Sequence, residues 1–219
     1  MLLACRQLGL DPAGYIDPQH PLQQRIAAEL GVVLGAGAPV PPCGIDGCSA
    51  PTFALPLAAL AQGFARLAGP GASGLDAARA AALDRLGASM AACPEMVAGP
   101  GRFTTALIAA TAGRVIGKEG VEGVYALAVR GPHPLGAALK FADGAERCRD
   151  IVVLELLHRL GALDPAERTA LAAFDPPVER NHRGLAVGRI EADFELEGTT
   201  APGTDPAGSG RSRPPSVRL

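Results

Sequence analysis

Between Arg114 and Gly144 three short apolar runs follow one another with no room for a helix between them: "RVIGKEG", "GVYALAVRG" and "LGAALKFADG". Parallel neighbours would need a crossover of about a dozen residues or more, so these runs predict an antiparallel meander. Upstream of Pro94 the texture is different and Ala-rich. There "LQQRIAAELGVVLG", "LAALAQGFARLAG" after Pro56 and "LDAARAAALDRLGASMAA" place apolar residues at helical spacing, with Gly71 to Gly74 as the loop between the last two. Beyond Pro94, short β-branched and apolar runs separated by glycines replace those helices.

After the meander, "AERCRDIVVLELLHRLG" predicts an amphipathic helix, and "LDPAERTALAAF" a shorter one capped near Asp164. "RGLAVGRIEADFELE" alternates enough for a long last strand. The expected class is α+β, an antiparallel sheet covered by helices. At the other end, "MLLACRQLGL" is helix-prone from its first residue, with Gly9 as a stop. "AGAPVPPCGIDGC" reads as a Pro- and Gly-rich connection. Residues 197–219, rich in Gly, Pro, Ser, Thr and Arg, read as a disordered tail.

Charge narrows the partners. Lys plus Arg total 20 against 22 Asp plus Glu, so long-range attraction favours neither nucleic acid nor an acidic membrane surface. No apolar stretch is long enough to span a bilayer. The five cysteines form no CxxC pair and leave an odd thiol, which argues against a secreted disulfide framework and for a reducing cytoplasm.

Two nucleotide motifs fail on context. Gly69, Gly71 and Gly74 satisfy GxGxxG but follow a helix rather than a strand. "GRVIGKE" has the wrong glycine spacing for a phosphate loop, and Glu119 stands where Ser or Thr would bind Mg²⁺. His20, His133, His158 and His182 are scattered, so the sequence by itself offers no closed zinc site. Cys48 is either one ligand or a small buried thiol.

Lys118 lies in "GKEGVEG", where Gly117 and Gly120 would let a ligand or a neighbouring backbone approach. It is either edge protection or, beside a serine in a water-poor cleft, a base or electrostatic partner. No serine sits in an SxxK or GxSxG setting. Ser49 follows Cys48, while Ser73 and Ser89 lie in or beside helices.

The blocks "HPLQQRI", "GIDGCSAPTFALPLAALA", "PEMVAGPGRFTTAL", "GRVIGKEGVEGVYALAV", "LGAALKFADGAERCR" and "NHRGLAVG" resemble, in the same order, the Rhizobium-type, thermolabile L-asparaginase II family, over nearly all of residues 1–196. The resemblance implies a fold similar to serine β-lactamases and glutaminases. It implies hydrolysis of L-asparagine to L-aspartate and ammonia by two Ser and Lys pairs, near a zinc held by two cysteines and a lysine, in a homodimer. It would make Asp46 an active-site carboxylate contacting substrate, Cys48 a zinc ligand and Lys118 the lysine of one Ser and Lys pair. The family's "CSGKHAG" segment and its earlier serines have no counterpart here. Residues 1–196 are therefore expected to be the C-terminal portion of the enzyme, incomplete at the N-terminus, inactive alone and prone to associate. The alternative of another class is a non-catalytic amino-acid-binding module.

Overall fold

The computed structural model describes residues 1–35, 43–175 and 178–196; the tail expected over 197–219 lies outside them. The protein runs α1 (Leu2–Leu8), α2 (Pro21–Val33), β1 (Cys43–Ile45), β2 (Pro51–Phe53), α3 (Leu57–Ala68), α4 (Ala77–Ala92), α5 (Pro94–Ala98) and α6 (Phe103–Ala110). It continues with β3 (Val115–Gly120), β4 (Val124–Val129), β5 (Leu135–Lys140), α7 (Arg149–Arg159), α8 (Pro165–Ala170), β6 (Glu179–Arg180) and β7 (Ala186–Gly188). The class is α+β.

The expected meander is present, antiparallel in the order β3-β4-β5. Successive residues of a strand face opposite ways, and here both faces are covered. Val115, Tyr125 and Leu127 join Phe103 and Leu107 of α6 and Val153, Leu154 and Leu157 of α7 in the larger core. Ile116 and Ala128 face the other way, against Leu67 and Ala68 of α3 with Leu83 and Met90 of α4 beside them. The result is helices, sheet, helices.

Helix ends follow local chemistry. α1 stops at Gly9, which is left-handed at φ 66. α2 starts where the His20 side chain accepts from the Leu22 amide. Its far end is tied to α3, because Arg66 Nη1 donates to the Val32 and Val33 carbonyls. α8 carries a reciprocal capping box, Asp164 with the Glu167 amide and Glu167 with the Asp164 amide. Asp164→Ala is expected to cost about 1 kcal/mol, read as a shift in the urea midpoint; no shift would mean that α8 is held by packing alone.

Three expectations need correction. The "AGAPVPPCGIDGC" connection is in part a hairpin strand, because Cys43–Ile45 pairs antiparallel with Pro51–Phe53. Two helices, α5 and α6, occupy 94–110. Pro94 opens α5 at a position where its missing amide costs nothing, while α6 buries Phe103, Thr104, Leu107 and Ile108. The buried residues form one stripe, but the alanines on the other side are apolar too and two adjacent threonines are β-branched, so the sequence shows a short apolar run instead of a helical period.

The third correction concerns the long last strand over 183–197. Among the described residues of that stretch only Ala186–Gly188 forms a strand, paired with Glu179–Arg180. Residues 190, 192, 194 and 196 do alternate inward, and Phe194 and Leu196 pack on the larger core. However, the Phe194 carbonyl accepts from Arg159 Nη1 of α7, and that guanidinium lies 4.6 Å from the Phe194 ring. Alternation reports which side faces the core, not which group takes the backbone hydrogen bond.

Candidate active site

Asp46 and Cys48 occupy the exposed tip of the β1–β2 hairpin. The Asp46 amide donates to the Ala50 carbonyl at 2.9 Å and the Ser49 amide to the Asp46 carbonyl at 2.8 Å, with Ser49 left-handed at φ 69. This turn brings the two side chains together. The Cys48 thiol and the amides of Gly47 and Cys48 hold the Asp46 carboxyl below its ordinary value. Asp46 is thus an ionised acceptor in water, supported by its own loop.

Lys118 is on β3 in register with Ala126, on the sheet face shared by Ile116 and Ala128. Its side chain is exposed, and Nζ donates to the Glu119 carbonyl at 2.8 Å. It makes no hydrogen bond or ion pair with Asp46 or Cys48. The flanking glycines have a different use from the one expected. A Cβ on Gly117 would lie 2.2 Å from the Tyr125 hydroxyl, and one on Gly120 would press on Val124 Cβ at 3.3 Å. The space at Gly117 is filled by the protein's own tyrosine.

The serines of the described residues are Ser49, Ser73 and Ser89: Ser49 sits beside Cys48 in the hairpin turn, Ser73 Oγ donates to the Pro70 carbonyl and Ser89 Oγ to the Arg85 carbonyl. Neither of these two hydroxyls bonds Lys118. An apolar groove of about 480 Å³ runs between α1 and α2, lined by residues such as Leu8, Leu22, Ile26 and Leu30. Asp46, Cys48 and Lys118 are not among its walls.

Sequence reasoning missed a buried polar group beneath Lys118. Thr104 Oγ1 donates to Glu119 Oε2 at 2.6 Å and lies 3.0 Å from the Tyr125 hydroxyl. Arg102 Nη2 stands 3.7 Å from Glu119 Oε1. Burial opposes ionisation of Glu119, but the Thr104 bond, a backbone amide and the Lys118 and Arg149 charges hold its carboxyl below the ordinary value. Burial raises the Tyr125 phenol. Strand alternation was the available signal, since it puts Glu119 on the same side as Val115, facing the core.

A family model for L-asparaginase II matches residues 1–192. The chain belongs to the L-asparaginase II family. No curated protein matches it. In this L-asparaginase II protein no helix of the described residues is long and apolar enough to cross a membrane. The zinc implied by the resemblance would meet one exposed thiol, Cys48, with one carboxylate beside it. Among the described residues no group of three or more His, Cys, Asp and Glu could hold a metal, and a closed zinc site takes about four ligands. His20 is committed on both ring nitrogens, Nδ1 to the Leu22 amide and Nε2 to the Asp11 carbonyl. The described residues do not fit a self-sufficient zinc site.

Proposed function

We propose that this protein supplies one side of an L-asparagine amidohydrolase site on a serine β-lactamase-like fold, releasing ammonia and L-aspartate. The family match over residues 1–192 carries the reading, because it includes both "GIDGC" and "KEG". Asparagine is a small zwitterion. Asp46, ionised and exposed, suits the substrate's ammonium group, and the Lys118 amine suits a carboxylate or a serine oxygen. Cys48 would be one donor to a zinc whose other ligands come from elsewhere.

Hydrolysis adds water across the carboxamide C–N bond of asparagine: the carbonyl carbon gains the oxygen, and the nitrogen leaves as ammonia. A serine nucleophile would take the acyl group first, and Lys118 would move its proton. None of Ser49, Ser73 and Ser89 shares a hydrogen bond with Lys118, whose amine donates to the Glu119 carbonyl, and loss of a nucleophile typically removes several orders of magnitude in rate. That observation favours a second reading for the protein by itself: it binds the amino acid without hydrolysing it.

The purified protein is therefore expected to release no measurable ammonia from asparagine, yet to give binding heat with asparagine in calorimetry, diminished in Asp46→Asn. Turnover would show that the nucleophile lies within residues 1–219. Neither heat nor turnover would defeat both readings. Running glutamine in parallel tells the two amides apart.

A further inference from the structure

We propose that Glu119 is a positioning residue for Lys118, a largely covered carboxylate that holds the end of β3 so that the amine keeps one orientation. The proposal rests on the reading of Lys118 as a functional amine and adds what makes that amine usable. "GKEG" places Lys118 in a weak stretch of strand, because glycine on either side raises the conformational entropy lost on ordering. Among the described residues β3 is also a sheet edge, paired only with β4, and the turn after it exposes Val121. No described strand on its outer side steadies the lysine.

Glu119 supplies the missing restraint from the opposite face. Its side chain is only 12% exposed, a costly place for a carboxylate unless it is bonded. Thr104 and Arg102, at the first turn of α6, meet its two oxygens at 2.6 and 3.7 Å. Tyr125, its register partner on β4, lies 3.0 Å from the same threonine through its hydroxyl, which fits because Gly117 has no Cβ. One carboxylate thus ties α6, β3 and β4 together at the level of Lys118. The acceptor used by the Lys118 amine is the carbonyl of Glu119 itself, at 2.8 Å. Whatever fixes Glu119 therefore fixes the group that aims the lysine.

The sequence has two lysines, Lys118 and Lys140, so ¹³C,¹⁵N-lysine labelling gives two Cε signals, assigned by Lys140→Arg. In the wild-type protein the Lys118 signal is expected to show restricted motion by heteronuclear relaxation. That restriction should be lost in Glu119→Ala and reduced in Thr104→Val, and should persist in Glu119→Gln, which can still accept from Thr104. The Lys140 signal should not change. Lys118 motion that is the same in wild type, Glu119→Ala and Thr104→Val overturns the proposal. Should Glu119→Ala fail to fold, the near-isosteric Thr104→Val decides alone. Asparagine added to the wild-type protein separates the two ideas: a Lys118 signal that ignores it defeats the functional reading, while the relaxation data still judge the positioning.

Discussion

Gly136→Ala should lower stability by about 3 kcal/mol or more, at or beyond the upper end of ordinary overpacking. A Cβ at Gly136 would lie 2.1 Å from the Ala61 carbonyl oxygen and 2.2 Å from the Ala65 amide nitrogen. Both are backbone atoms inside α3, so no rotamer change relieves the clash. The helix would have to lift off β5, loosening the smaller core where Leu67 and Ala68 meet Ile116 and Ala128. Gly71→Ala is the control: nothing lies within 4 Å of its added Cβ, and the change should stay within about 0.5 kcal/mol. Equal urea midpoints for the two variants would show that α3 does not rest on β5 as described. The contrast also bears on function, since α3 covers the sheet face that carries Lys118.

The second large effect is expected at Arg149, whose side chain is 6% exposed. Its Nε bonds Asp150 Oδ1 at 2.9 Å, and its Nη1 lies 3.1 Å from Glu146 Oε2. Its guanidinium also stands 6.0 Å from the centre of the Tyr125 ring. Arg149→Met keeps much of the volume but leaves the half-buried Asp150 without its cation, a loss of about 3 kcal/mol at neutral pH. Glu146 is half exposed and adds little.

The pH dependence has a definite sign. Burial holds the Asp150 carboxyl above its ordinary value of 3.8, opposed by the Arg149 charge and hydrogen bond. Removing Arg149 removes the opposition, so the folded-state value rises further. A carboxyl raised in the folded state binds its proton more readily there than in the unfolded state. Its penalty is therefore absent below the ordinary value and grows as pH rises through the folded one. The deficit of Arg149→Met against wild type should shrink on acidification from neutral pH towards pH 4, measured by urea unfolding at each pH. A deficit that is constant with pH would remove Asp150 from the explanation.

Particular elements show what the primary structure makes legible. The β3–β5 meander was readable because the spacing between its runs excludes a crossover. α3 and α7 were readable because their apolar residues repeat along one side, and α4 because it is a long run of alanine and other strong helix formers without proline. α6 was hidden, since it is only eight residues long and the alanines opposite its buried stripe of Phe103, Thr104, Leu107 and Ile108 are apolar as well, which flattens the contrast between its faces. The segment after Gly188 showed the converse: its alternation was real, but the Phe194 carbonyl belongs to Arg159.

At the candidate site, the motifs named Asp46, Cys48 and Lys118, and local turn chemistry joins the first two because they are two residues apart. The partners of Glu119 could not be named that way. Thr104 and Tyr125 come from different elements, and only packing of α6 on the sheet brings them within hydrogen-bonding distance.

The order of residues alone thus determined the antiparallel connectivity, several helix ends such as Gly9 and Asp164, and the chemical types available at the site, all of which depend on neighbours within a few positions. The folded arrangement decided why Gly117 and Gly136 must lack a side chain and what steadies Lys118. Those outcomes rest on ångström-scale contacts between residues distant in the sequence, a quantity that linear spacing does not carry.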